Sequence, residues 1–198
     1  MRCSVLLFGG LIFLAGCAGP TPTVQRVPER CLGPEATIIA SVPTPEGSSA
    51  TTARGVYVAE DTVLTVAHAV PGNATAEGFA VQQRDDEQHV LLLQADSCGT
   101  PLAIAADGPV TGSALYDCTL GAIRGNVSGF EASAIAAAPT SSRTVMLPRL
   151  AVLPGQFSLG DSGKALCNAT DEVLGIIVAI RSGTALLIPA EQLAAFVN

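Results

Sequence analysis

Ser162 sits in the tetrapeptide Gly160-Asp161-Ser162-Gly163, where small and turn-forming residues can present a hydroxyl at the tip of a sharp bend. A serine hydroxyl is a weak nucleophile until a neighbouring base takes its proton. His68 is suited to that work, because an imidazole titrates near neutral pH. It follows directly on the apolar run Thr62–Ala67, so a strand would carry it to an element's end. Asp117, in Asp117-Cys118-Thr119-Leu120, offers a carboxylate that could fix the imidazole tautomer and stabilise the imidazolium. Nucleophile, base and acid together describe acyl transfer from an amide or ester.

The elements that must hold these groups read as short strands. Ala36–Val42, Thr51–Ala59, Thr62–Ala67, Gly78–Gln83, His89–Ala95 and Ala114–Ile123 are β-rich segments separated by turn residues such as Pro71-Gly72-Asn73 and Arg84–Glu87. A second series follows: Ala132–Ala138, Arg143–Leu147, Leu150–Leu153, Lys164–Cys167, Val173–Ile180 and Thr184–Ile188. Pro189–Val197 has helical spacing and closes the chain. Two groups of six strands and a final helix predict an all-β double barrel, with barrel one at about residues 34–125 and barrel two at about 130–198. At 198 residues, 48% of them apolar, the chain can pack a core, although it has no tryptophan. Its formal charge of −7 argues against nucleic acid as a partner, since phosphate binding needs a basic surface.

Three segments, in the order His, Asp, Ser, resemble the chymotrypsin-like (trypsin-like) serine proteases: Leu64-Thr65-Val66-Ala67-His68, Asp117-Cys118-Thr119-Leu120 and Gly160-Asp161-Ser162-Gly163. The resemblance spans nearly all of residues 34–198. It implies a double β-barrel of two six-stranded barrels and a serine endopeptidase acting on protein or peptide substrates without a cofactor or metal. His68, Asp117 and Ser162 would form the triad, and the backbone amides of Gly160 and Ser162 the oxyanion hole. Asp117 would stand on the sixth strand of barrel one. Asp96 and Asp86 are alternative acids. A second register sets His89-Val90-Leu91-Leu92-Leu93 against the family's acid segment, which would place His89 where the acid belongs; His89 otherwise reads as a surface strand residue. The family's GDSGGP is GDSGKA here, with Lys164 and Ala165 departing from the pattern. The specificity pocket would be lined by Gln156–Ser158 and Ile180–Gly183, with no acidic residue at its base, which argues against a Lys/Arg preference. A catalytically impaired protease fold kept as a binding or scaffold module is the alternative. A carboxylate beside the His68 ring would favour the enzyme, and His89 there the scaffold.

The N-terminus has a different character. Arg2, the apolar stretch Val5–Leu14 and Leu14-Ala15-Gly16-Cys17 resemble a bacterial lipoprotein signal with its lipobox. That implies residues 1–16 as signal peptide, Cys17 as the lipidated residue, and residues 17–33 as a Pro/Thr-rich tether. Lipid would hold the domain at a membrane of the bacterial envelope, with the outer membrane's periplasmic face favoured because Ala18 follows Cys17. Four further cysteines, Cys31, Cys98, Cys118 and Cys167, suit two disulfides in an exported protein. Three connectivities are possible; Cys98–Cys118 with Cys31–Cys167 is the expected one. No paired Cys/His spacing suggests a metal site.

Overall fold

The computed structural model describes residues 31–72, 74–137 and 143–197; the signal segment and Cys17 lie outside these. Thirteen strands are found among them: β1 Glu35–Thr44, β2 Gly47–Ala59, β3 Thr62–Val66, β4 Thr75–Ala76, β5 Phe79–Asp85, β6 Val90–Ala95, β7 Ala114–Asp117, β8 Ile123–Asn126, β9 Gly129–Ala136, β10 Thr144–Pro154, β11 Ala165–Cys167, β12 Val173–Arg181 and β13 Thr184–Pro189. A helix, α1 Ala190–Val197, follows. No helix among the described residues is long and apolar enough to cross a membrane.

The first lobe is a closed barrel in the order β1-β2-β3-β6-β5-β4. Alternation makes it: Ala36, Ile38 and Ala40 of β1 point inward while Ile39 stays exposed. β3 is buried at four of its five positions and pairs with β6 through Val63↔Leu93, Leu64↔Leu92 and Val66↔Val90. Closure removes the open edges that a free sheet would leave. The second lobe is a curled seven-stranded sheet, β8-β7-β11-β12-β13-β10-β9. Its inner face holds a separate core of Leu115, Leu153, Leu166, Ile177 and Leu187. Helix α1 packs Ala190, Leu193 and Phe196, three residues apart, onto the molecule.

This architecture corrects two expectations. Ala114–Ile123 is not the sixth strand of barrel one. It breaks at residues 118–122 into β7 and β8, and this hairpin joins the second sheet through β7–β11 pairing. The two-residue β4 closes the first barrel instead. The disulfides also differ from the expected pairing: the bonds are Cys31–Cys98 and Cys118–Cys167. Strand pairing explains both. Leu166↔Asp117 and Cys167↔Tyr116 set Cys118 beside Cys167. Leu32, bridged to Gly99 with its amide on the Cys98 carbonyl at 2.9 Å, sets Cys31 beside Cys98.

Candidate active site

His68 lies in a single 3-10 turn, Ala67–Ala69, immediately after β3. His89 lies immediately before β6, β3's antiparallel neighbour. The ladder continues one step beyond Val66↔Val90, where the Ala67 amide donates to the His89 carbonyl at 3.0 Å. The two imidazoles therefore meet at adjoining strand ends. Nδ1 of His68 and Nε2 of His89 share a hydrogen bond of 2.8 Å, with ring centroids 5.0 Å apart. His89 is 1% exposed, so it is not the surface residue that its position suggested. Its φ of +61° is uncommon outside glycine, though histidine is among the residues enriched there.

The turn carrying the serine is anchored on both lobes. Leu159–Asp161 form a 3-10 turn capped by the Ser158–Asp161 pair, in which the Ser158 amide donates to Asp161 Oδ2 at 2.9 Å. The Gly163 amide donates to the Ile177 carbonyl on β12 at 2.8 Å, and the Arg54 amide on β2 donates to the Ser162 carbonyl at 2.7 Å. Ser162 is thus gripped between barrel and sheet. Gly163 has a φ of +83°, and a Cβ there would fall 2.0 Å from the Arg54 carbonyl oxygen and 2.4 Å from Thr65 Oγ1. Gly163→Ala should therefore strain the backbone by about 1–3 kcal/mol before any clash is counted. The expected result is a melting temperature several degrees lower; an unchanged melt would mean that the Ser162 turn is not held as described.

His68 and Ser162 face one cleft of about 440 Å³, whose walls include Ala53, Ile135, Leu159 and Val178. Of the expected Ile180–Gly183, Ile180 and Arg181 line it, whereas Ser182, Gly183 and Gln156–Ser158 do not appear in its lining. The contributions of β2 and β9 could not be read locally, because they depend on how the two lobes pack. No carboxylate is among the described residues of the wall, and Arg181 there is paired with Glu131 at 3.9 Å.

Asp117 is elsewhere. It ends β7 in the second sheet, 1% exposed, with Oδ2 2.7 Å from Lys164 Nζ and Oδ1 accepting from the amides of Thr119 and Leu120 at 3.0 and 3.2 Å. Burial alone would push its carboxyl up, but Lys164 and the two amides outweigh it and hold the group below the usual carboxylate range. Lys164 also reaches Glu35 at 3.7 Å, and Glu35 meets Arg54 at 3.1 Å. The residue that departs from the GDSGGP pattern is therefore the half-buried counter-ion of a buried carboxylate. Asp117, expected as the partner of His68, is instead the partner of Lys164: β7 pairs with β11 in the second sheet, and His89 rather than Asp117 meets His68 Nδ1. Asp96 lies beyond the opposite end of β6, exposed, with its amide on the Gly78 carbonyl at 3.0 Å. Asp86 is nearer, acting electrostatically on His89 while paired with Arg84 at 3.2 Å.

Burial, and after it the neighbouring His89, lower His68 to about 4. Burial likewise lowers His89 to about 4, with Asp86 opposing and Arg84 reinforcing the shift. Both rings are therefore neutral at neutral pH. A neutral imidazole that reaches a serine hydroxyl can accept its proton, and both groups line this cleft.

No protein-family model and no curated protein matches the chain. Solved structures do. The active form of the Rv3671c protease from M. tuberculosis superposes with a TM-score of 0.61 at 20% identity, covering 81% of this chain and 78% of that one. The MamO protease domain from Magnetospirillum magneticum gives 0.57 at 18% identity, with 83% and 97% covered. The HtrA-type protease AlgW, solved with a decapeptide, gives 0.57 at 17% identity; 85% of this chain matches 64% of that one. The fold is that of the chymotrypsin-like serine proteases. Within this protease fold the described barrel, curled sheet and terminal helix correspond to the double barrel expected from the sequence, although the second lobe has seven strands rather than six.

Proposed function

We propose that this protein is a serine hydrolase that cleaves peptide bonds, with Ser162 as nucleophile and His68 as general base. The observation that carries this reading is that a neutral imidazole and the serine of a two-sided, glycine-dependent turn open onto one cleft. In the reaction Ser162 Oγ attacks the peptide carbonyl carbon as its proton passes to His68 Nε2. The C–N bond then breaks, the proton goes to the leaving amine, and an acyl-enzyme remains for water to hydrolyse by the reverse path. The amides of Gly160 and Ser162 are the assigned donors to the oxyanion. The apolar wall of Ile135, Val178 and Ile180 suits an uncharged apolar side chain next to the scissile bond. Lipidation at Cys17, with a Pro/Thr-rich tether that ends before Cys31, which is bonded to Cys98, would place this chemistry at the bacterial envelope, on protein or peptide substrates within reach of the membrane.

A second reading rests on a specific observation: an imidazole rather than a carboxylate meets His68 Nδ1. A neutral partner stabilises the imidazolium less than a carboxylate does, which favours a weak enzyme or a peptide-binding module. Incubation with a mixed peptide library, read by mass spectrometry, separates the two. New termini that disappear after fluorophosphonate treatment support the hydrolase. Peptides retained intact on the protein support the binding module.

A further inference from the structure

The third position of the site is occupied by a residue that the fold's usual chemistry does not put there, and its surroundings are built around it. His89 is buried, holds a left-handed backbone conformation, and lends its carbonyl to the residue before His68. The turn that leads to it is tied down. Asp85 Oδ1 accepts from the amides of Glu87 and Gln88, both at 2.8 Å. Arg84 donates to the carbonyls of Ala67, at 3.2 Å, and Val70, which bracket His68. Asp86 and Arg84 are the charged groups acting on His89, and they pair with each other. A ring merely filling space would not need its nitrogen aimed at His68 Nδ1.

We propose that His89 is the positioning residue of the catalytic histidine: its Nε2 accepts the Nδ1–H of His68, which leaves the lone pair of His68 Nε2 facing the cleft and Ser162. The inference rests on the hydrolase reading for its kinetic consequence, but not for its structural content. Only one of the two shared nitrogens can carry the proton while both rings are neutral. With that proton on His68, the His89 proton resides on Nδ1. During attack, Nε2 of His68 takes the serine proton. The positive charge is then shared across the 2.8 Å hydrogen bond, with Asp86 favouring it at His89 and Arg84 opposing it. The proton returns from Nε2 to the leaving amine, so the pair ends in its starting state.

The test uses the whole folded domain. Its two histidines make imidazole nitrogen NMR free of overlap. The expected spectrum at neutral pH shows His68 protonated on Nδ1 and unprotonated on Nε2, whatever the activity. The opposite tautomer at His68 would overturn the inference while leaving Ser162's reactivity to be judged separately by fluorophosphonate labelling. Variants add the kinetic readout. His89→Ala should lower kcat by at least 100-fold with KM little changed, as expected for a mis-set tautomer. His89→Gln, whose side-chain oxygen can accept the same proton, should recover tenfold or more over Ala. His89→Asp should move the acidic limb of the kcat/KM profile up from its wild-type position near pH 4, because a carboxylate favours protonated His68. Circular dichroism at each pH keeps loss of fold distinct from loss of rate. An acidic limb that stays in place in folded His89→Asp, or a kcat for His89→Ala within threefold of wild type, would also overturn it.

Discussion

Ser162→Ala is expected to lower kcat for peptide hydrolysis by on the order of 10⁶, with folding unaffected. The size follows from what is removed. Without the hydroxyl there is no acyl-enzyme, and the remaining site can offer only oxyanion donors and binding to a direct attack by water. The fold should tolerate the change, because the main-chain atoms of Ser162 make its anchoring bond: its carbonyl receives the Arg54 amide. The neighbouring turn is held by Gly163 on Ile177 and by the Ser158–Asp161 cap, neither of which uses the serine hydroxyl. The measurement is turnover of a cleaved library peptide beside a thermal melt. A variant that keeps its melt and loses turnover meets the expectation, and one that keeps turnover within tenfold would remove Ser162 from the chemistry.

The second large effect is on stability. Lys164→Met is expected to destabilise the fold by about 3–5 kcal/mol, because it strands a carboxylate that is 1% exposed. The pH dependence has a definite sign. Asp117's carboxyl is held below its ordinary range in the fold. Its contribution is therefore present above the ordinary carboxylate pKa and is lost as pH falls through the lowered one. In the Lys164→Met variant that dependence should shrink or reverse. Adding Asp117→Asn to Lys164→Met should restore part of the loss, since the uncompensated charge is gone. Urea unfolding of the four proteins of this cycle measures the coupling. Asp117→Asn alone should reduce stability while leaving the acidic limb of the rate profile in place. Movement of that limb would return Asp117 to a role at His68.

These two residues show where local sequence was informative and where it stopped. A strand that leads into the His68 turn and a glycine-flanked serine are local facts, since the conformations that present each side chain are dictated within a few residues. The barrel strands are legible for the same reason, through alternation such as that of Ala36, Ile38 and Ala40. The third group was not local. Asp117 resembles a triad acid in its own segment, but which residue meets His68 depends on the pairing of β3 with β6. That register places position 89 at the strand end. The resemblance to the family in fact admitted two registers, and the one through His89 is the one that reaches the ring. The break at residues 118–122 sends the next hairpin to the other lobe, carrying Asp117 and Cys118 with it. The cysteine connectivity failed for the same reason. Lys164, met first as a departure from a motif, is explained only by the buried carboxylate that strand pairing brings opposite it.

The central claim is that Ser162 is an activated nucleophile. The most direct measurement is intact mass and peptide mapping of the domain after exposure to a fluorophosphonate at neutral pH. The account predicts one adduct per chain, on the peptide containing Ser162, with labelling lost in His68→Ala. An unlabelled folded protein, or an adduct mapped to another residue, would contradict it.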